Sequence, residues 1–158
     1  MIYISIRKLK DNKNDRKIFK EFDKKLGEFE KKLDFRLKRT GNISYNNISK
    51  TLKSPKCCIL IAEYENKIIG YVVGKVFKQS SWYNGDTFGY LSNLYIDDGF
   101  REKGIGNKLM FEIMKWFKSQ KVTTIKLKVF SNNRKAIDFY KRRQFKNYVS
   151  ELIFDLSK

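Results

Sequence analysis

Between residues 88 and 119 the hydrophobic pattern changes period once, and the hinge of that change is Arg101-Glu102-Lys103-Gly104-Ile105-Gly106. Before it, residues 88–96 form a β-rich run ending in Leu94, Tyr95 and Ile96; after it, Ile105, Leu109, Ile113, Trp116 and Phe117 recur at helical spacing. Glycines at a strand-to-helix junction leave backbone N–H groups bare at the positive end of a helix dipole, where an anion can be held. Arg101, Lys103 and Lys108 add cationic charge beside them. A Walker loop requires Gly-Lys-Ser/Thr, whereas Gly106 is followed by Asn107-Lys108. A dinucleotide fingerprint requires a small residue at 109 and an acid about 20 residues on; the chain has Leu109, then Lys126 and Lys128. The plain structural alternative is a helix start whose glycines serve close packing.

The flanking segments have their own periods. Ile2, Ile4 and Ile6 alternate with polar neighbours and predict an initial strand. Phe19, Phe22, Leu26, Phe29 and Leu33 predict a helix over 15–37, with Gly27 as a point where it could break. A loop at 41–44 precedes a short helix over 45–52 with Ile48 and Leu52 inward. Residues 57–64 and 67–77 read as a hairpin turned at Glu65-Asn66, and 79–87 as a polar loop. Residues 123–130 alternate as a strand, Asn133 opens a helix carrying Ala136, Phe139 and Tyr140, and 148–156 read as a closing strand. The order predicts one α/β domain over 1–158 with a mixed sheet.

The chain has 158 residues and no His, which removes His general bases, His-dependent nucleophile systems and His metal ligands. Cys57 and Cys58 are adjacent within an apolar run, which suits buried strand thiols in a reducing cytoplasm. No apolar run approaches the roughly 18 residues of a membrane span. The formal charge of +18 is enough to attract polyanions, but 27 of the 35 basic residues are dispersed Lys, which suits a solvated surface.

About 25 residues after the glycine hinge stand Asn133-x-x-Ala136-x-x-Phe139-Tyr140 and Phe145. This pair of motifs resembles the GNAT superfamily of acyl-CoA N-acyltransferases over residues 88–145, and the hairpin before it fits the family order. The resemblance implies a mixed, mostly antiparallel sheet flanked by helices and splayed between two central strands, with acetyl-CoA in the cleft. It implies that residues 101–108 (Arg101, Glu102, Lys103, Gly104, Ile105, Gly106, Asn107 and Lys108) hold the pyrophosphate. Leu94, Tyr95 and Ile96 would pair with the pantetheine arm, Asn133 and Ala136 would contact the cofactor, and Tyr140 would lie near the thioester sulfur. Gln144-Phe145 replaces the family's Gly-Phe, so a non-glycine must make that turn. Ser92 and Asn93 stand where many relatives carry an acidic base.

The implied reaction is direct acetyl transfer to a primary amine through a tetrahedral intermediate, with no metal. A backbone N–H near Ile96 would polarise the thioester and Tyr140 would protonate the departing thiolate. Glu63 and Asp86 are the candidate bases. The acceptor pocket would be formed by residues 15–52 and the 79–87 loop. The expected partners are acetyl-CoA and an amine, with a homodimer left open and no membrane. The rival functions are a silent acyl-CoA-binding sensor and an RNA-binding module; base stacking would need exposed aromatics on a basic face.

Overall fold

The computed structural model describes residues 3–38 and 47–157, and the chain divides into two compact units, Met1–Lys128 and Val129–Lys158. In the first, β2 (Cys57–Tyr64) and β3 (Lys67–Lys78) are the predicted hairpin. Its two turn residues, Glu65 and Asn66, lie at φ 47° and 61°, the left-handed pair that a two-residue hairpin turn needs to match strand twist. β1 (Ser5–Lys8) adds antiparallel to β2, β4 (Thr87–Ile96) antiparallel to β3, and β5 (Ile125–Lys126) parallel to β4. The result is a five-stranded mixed sheet in the order β1-β2-β3-β4-β5. Among the described residues the initial strand runs over 5–8, leaving Tyr3 and Ile4 before it and continuing past Ile6, where β2 supplies its partners; Leu9 N still donates to Ile59 O at 2.9 Å. Ile2 lies outside the described residues.

Two helical layers cover the sheet. On one face α1 (Lys13–Leu33) packs Phe19 edge-on against Tyr71 and Phe22 against Tyr95, in a core with Ile59, Ile61 and Val73. The helix starts earlier than predicted because Asn12 Oδ1 accepts from Asp15 N at 2.9 Å, and it ends at Leu33 where Asp34 turns extended. Gly27 does not break it; the residue is buried inside a continuous helix. The buried stripe is centred near Phe19 and Asp23, so Phe29 falls at its rim and is 41% exposed. The short helix is α2 (Ile48–Lys53), with Ile48 buried and Leu52 packed on the core; the 41–44 loop and Tyr45 lie outside the described residues. Cys58 is buried and Cys57 half-buried, both free, and desolvation pushes the Cys58 thiol up to about 11. None of the helices described is long and apolar enough to cross a membrane.

On the other face α3 (Ile105–Ser119) approaches the sheet through glycines. A Cβ at Gly74 would stand 2.9 Å from Phe117 and 3.0 Å from both Ile113 and Trp116, and one at Gly89 would stand 2.7 Å from the Phe117 ring. Gly89→Val should therefore lose about 1–3 kcal/mol by overpacking, read as a lower urea midpoint at unchanged m-value. An m-value change without a midpoint shift would contradict close packing there.

At the edge of the sheet Arg7 is clamped between two carboxylates. Its Nη1 is 2.6 Å from Asp15 Oδ2, and its Nε donates to Glu63 Oε2 at 2.8 Å. The Arg7 bond holds the Asp15 carboxyl below the usual carboxylate range. The folded-state value is lowered, so the stabilisation is present above the unfolded value, about 3.9, and disappears as pH falls through the folded one. Urea midpoints should drop on acidification below about pH 4. They should drop less steeply in Arg7→Met; parallel pH curves for the two proteins would remove the linkage.

Two strand predictions are corrected. Of residues 123–130 only Ile125–Lys126 pair, because β4 offers a parallel neighbour only at Gly89 and Tyr90. Residues 148–156 form no strand, and Leu152 and Phe154 are exposed. A strand needs a ladder, and the described part of Val129–Lys158 contains no other strand to pair with.

Candidate active site

β4 changes character in its middle. Val73 pairs with Asn93 but Gly74 pairs with Leu91, so Ser92 is an extra residue in β4, a β-bulge. Before the bulge Gly89 faces Phe117 of α3; after it Asn93 and Tyr95 face Asp23 and Phe22 of α1. The bulge thus moves the odd-numbered side chains from one face of the sheet to the other. It moves the backbone as well. Gly89 N donates to Thr124 O beside β5 at 2.9 Å, whereas Asp97 N donates to Ile69 O on the β3 side at 2.9 Å. Alternation back from Asp97 leaves the peptide groups of Ile96 and Leu94 pointing away from β3. No described strand pairs with β4 there, so the sheet opens beside Leu94, Tyr95 and Ile96.

The opened edge leads to the glycine hinge. Asp98–Phe100 form one 3-10 turn, Glu102 sits at φ 63°, and Gly104 is the left-handed N-cap of α3 at φ 77°. No side chain caps α3, and nothing lies within 4 Å of a Cβ built on Gly104. Asn107 N and Lys108 N both donate to Gly104 O, which leaves the earlier N–H groups of Ile105 and Gly106 toward the helix mouth. Arg101 is bound locally: its Nε donates to Ile96 O at 3.0 Å, its Nη2 lies 2.7 Å from Asp98 Oδ1, and its guanidinium covers the Tyr95 ring. It braces the strand end against the loop. Lys103 Nζ donates to Gly99 O at 2.9 Å, and Lys108 is exposed. These residues suit the diphosphate of a coenzyme A through bare N–H groups, a helix dipole and adjacent cations.

Glu63 is not brought to this loop. It lies on β2, separated from β4 by β3, and is engaged by Arg7. Asp86 is exposed at the end of the 79–86 turns, its carbonyl accepting from Gln79 N. The sequence reading missed the buried polar cluster under the bulge: Asp23 Oδ1 accepts from Tyr71 OH at 3.0 Å and from Asn93 Nδ2 at 3.3 Å. The signal was available, since Asp15 and Asp23 stand four residues either side of Phe19 on the apolar stripe.

In the second unit α4 (Arg134–Lys141) is capped by Asn133, whose Oδ1 accepts from Ala136 N at 3.2 Å. Tyr140 packs edge-on between Phe139 and Phe145, and desolvation pushes its phenol up to about 12. The turn after α4 is made by a non-glycine: Gln144 adopts φ 66°, and Phe145 N donates to Tyr140 O at 3.2 Å.

A sheet opened beside one central strand, with a glycine-started helix at the end of the opening, is the arrangement that the resemblance to acyl-CoA N-acyltransferases implies. The profile of the acetyltransferase (GNAT) family matches residues 17–145, spanning both units, and the chain belongs to that family. It is 47% identical over 47 residues to acetyltransferase PseH of Campylobacter jejuni, a match covering 29% of this chain and 30% of that protein. Among solved structures it is similar to a transcriptional regulator from Bacillus halodurans (TM-score 0.76, 18% identity, 98% of this chain and 100% of that one). It is also similar to aminoglycoside N-acetyltransferase AAC(6')-Iy in complex with CoA (TM-score 0.72, 12% identity, 100% and 97%). A third neighbour is an aminoglycoside acetyltransferase from an uncultured soil metagenomic sample, solved with sisomicin (TM-score 0.71, 19% identity, 98% and 97%). At these identities the structural matches speak for the fold.

Proposed function

We propose that the chain transfers the acetyl group of acetyl-CoA directly to a primary amine in the cytoplasm, its two units acting as one catalytic domain. The observation that carries this is the opened edge of β4 running into the uncapped start of α3. The acetyl-CoA thioester supplies the activated acyl group. Leu94 and Ile96 offer outward backbone groups to an extended amide arm, as an added strand would. Ile105 and Gly106 offer N–H groups to the diphosphate, while Arg101 holds the strand end in place. Asn133, its Oδ1 already used as a cap, keeps its Nδ2 for the coenzyme, with Ala136 beside it. Glu63 serves the Arg7 ion pair, and the amine reaches the site by losing its proton to water.

The test is free-thiol release from acetyl-CoA across polyamines, aminoglycosides, amino acids and peptide N-termini, with calorimetry of acetyl-CoA binding. Absence of acetyl-CoA binding would sink the proposal; binding without transfer to any amine would favour the sensor.

One observation favours a second reading, RNA binding. Trp82, Tyr83 and Phe77 are 92%, 48% and 44% exposed, and the Lys126 ammonium lies 4.8 Å from the Tyr83 ring centroid and 4.3 Å from that of Phe88. That is an aromatic surface with a cation in it. Because the basic charge is mostly dispersed Lys, RNA is expected to bind weakly at about 150 mM salt. Submicromolar binding at that salt that survives loss of Gly106 would make the basic surface the main function.

A further inference from the structure

The β4 bulge places one buried amide where the proposed reaction needs an acceptor. Asn93 is 4% exposed, and its Nδ2 donates to Asp23 Oδ1 at 3.3 Å. That contact fixes the amide, because turning it over would set its oxygen against a carboxylate oxygen that can only accept. The same carboxylate oxygen receives Tyr71 OH, so Asp23 is itself anchored to β3. Oδ1 of Asn93 is then left buried with no hydrogen-bond partner in the described chain. Buried acceptors are nearly always satisfied, and one held open by a neighbouring carboxylate marks a place for an incoming donor. The next residue, Leu94, carries the outward peptide group at the opened edge, about 3.8 Å along the chain. A thioester carbonyl on that edge and a nitrogen bonded to Asn93 would be neighbours.

We propose that Asn93 Oδ1 accepts a hydrogen bond from the attacking amine, and that Asp23 is the positioning residue that aims it; this deepens the acetyl-transfer proposal and rests on it. As the N–C bond forms and the C–S bond breaks, the electron pair leaves with sulfur. The nitrogen gives one proton to water and keeps its other hydrogen on Asn93, which takes up no proton. A primary amine can do both; a secondary amine has one hydrogen and must give it up. The site is therefore selective for primary amines by hydrogen-bond count.

The experiment uses the full chain with n-butylamine and N-methylbutylamine as acceptors, following thiol release, with acetyl-CoA affinity measured in parallel. Asn93→Leu keeps the volume and removes the acceptor together with the Nδ2 donor to Asp23, whose bond from Tyr71 remains. It should bind acetyl-CoA as the wild type does, lose about tenfold in kcat/KM for n-butylamine, the size of one hydrogen bond, and lose the primary-over-secondary preference. Asn93→Asp still presents an oxygen at the same place and should keep the preference. A purely structural role predicts lost stability in both variants, since each alters the Asn93–Asp23 contact, with the primary-over-secondary preference unchanged. Wild-type rates and preference in Asn93→Leu would overturn the proposal, and should that variant not fold, loss of the preference in folded Asn93→Asp would do so. Wild-type protein that binds acetyl-CoA but acetylates neither amine overturns it while leaving the coenzyme site standing. Failure to bind acetyl-CoA removes both.

Discussion

Gly106→Val is expected to bind acetyl-CoA about 10²-fold more weakly while remaining folded. Gly106 is the second residue of α3, and its N–H belongs to a first turn that no side chain caps. In the proposed site a branched side chain there would stand in the path of the diphosphate and keep the anion from the N–H groups of Ile105 and Gly106. Two charge-assisted hydrogen bonds at about 1.5 kcal/mol each amount to about 3 kcal/mol, which is about 10²-fold in affinity. Helix propensity does not oppose the change, since Val is no worse than Gly within a helix. Calorimetry should show the loss, with a wild-type circular dichroism spectrum and thermal midpoint. Unchanged affinity would mean that the bare helix start is packing geometry and not an anion site. Gly104 is a poorer position for the same test, because its φ of 77° would confound strain with obstruction.

The hairpin, β4 and the glycine-started helix were legible because each carries its own local signal: a two-residue turn, a β-rich run and a change of period at 101–106. The closing segments were not. Residues 123–130 alternate as well as β1 does, and 148–156 are rich in apolar and aromatic residues, but such patterns state only which side chains could be buried, and a ladder depends on a partner that sequence spacing does not name. The bulge was hidden for a related reason. Ser92 is one ordinary residue, and only the pairings Val73 to Asn93 and Gly74 to Leu91 reveal that it is extra. Its consequences are large, since it turns Asn93 toward α1 and the Leu94 and Ile96 peptides toward the opening. Asp23 was overlooked because the apolar stripe of α1 is drawn through Phe19, Phe22 and Leu26, and an acid within such a stripe reads as noise until Tyr71 and Asn93 are seen to meet it. Glu63, by contrast, was singled out as an acid at a strand end, and its engagement with Arg7 joins residues 56 positions apart.

Tyr140→Phe is expected to lower turnover by about 10²-fold with acetyl-CoA affinity unchanged, by the removal of one donor to developing charge. The ring is held between Phe139 and Phe145, and phenylalanine preserves both edge contacts. Only the hydroxyl is lost. With the phenol pushed up to about 12 by burial, Tyr140 is a weaker acid than the departing thiol, whose value lies near 8.5 by analogy with cysteine. Full proton transfer to the sulfur would run uphill, so in the proposed reaction Tyr140 would act by hydrogen-bond donation and the thiolate would take its proton from water. The same shift fixes the pH dependence. Tyr140 stays neutral, and able to donate, until the pH nears 12, so the rising limb of kcat/KM belongs to the acceptor amine, near 10.4 for a lysine-like group. Wild type and Tyr140→Phe should therefore give parallel profiles up to about pH 10, displaced by a constant factor. Steady-state rates from pH 7 to about 10 would test this; wild-type turnover in the variant would return Tyr140 to the packing of α4, and a displacement that closes as pH rises would restore it to proton transfer.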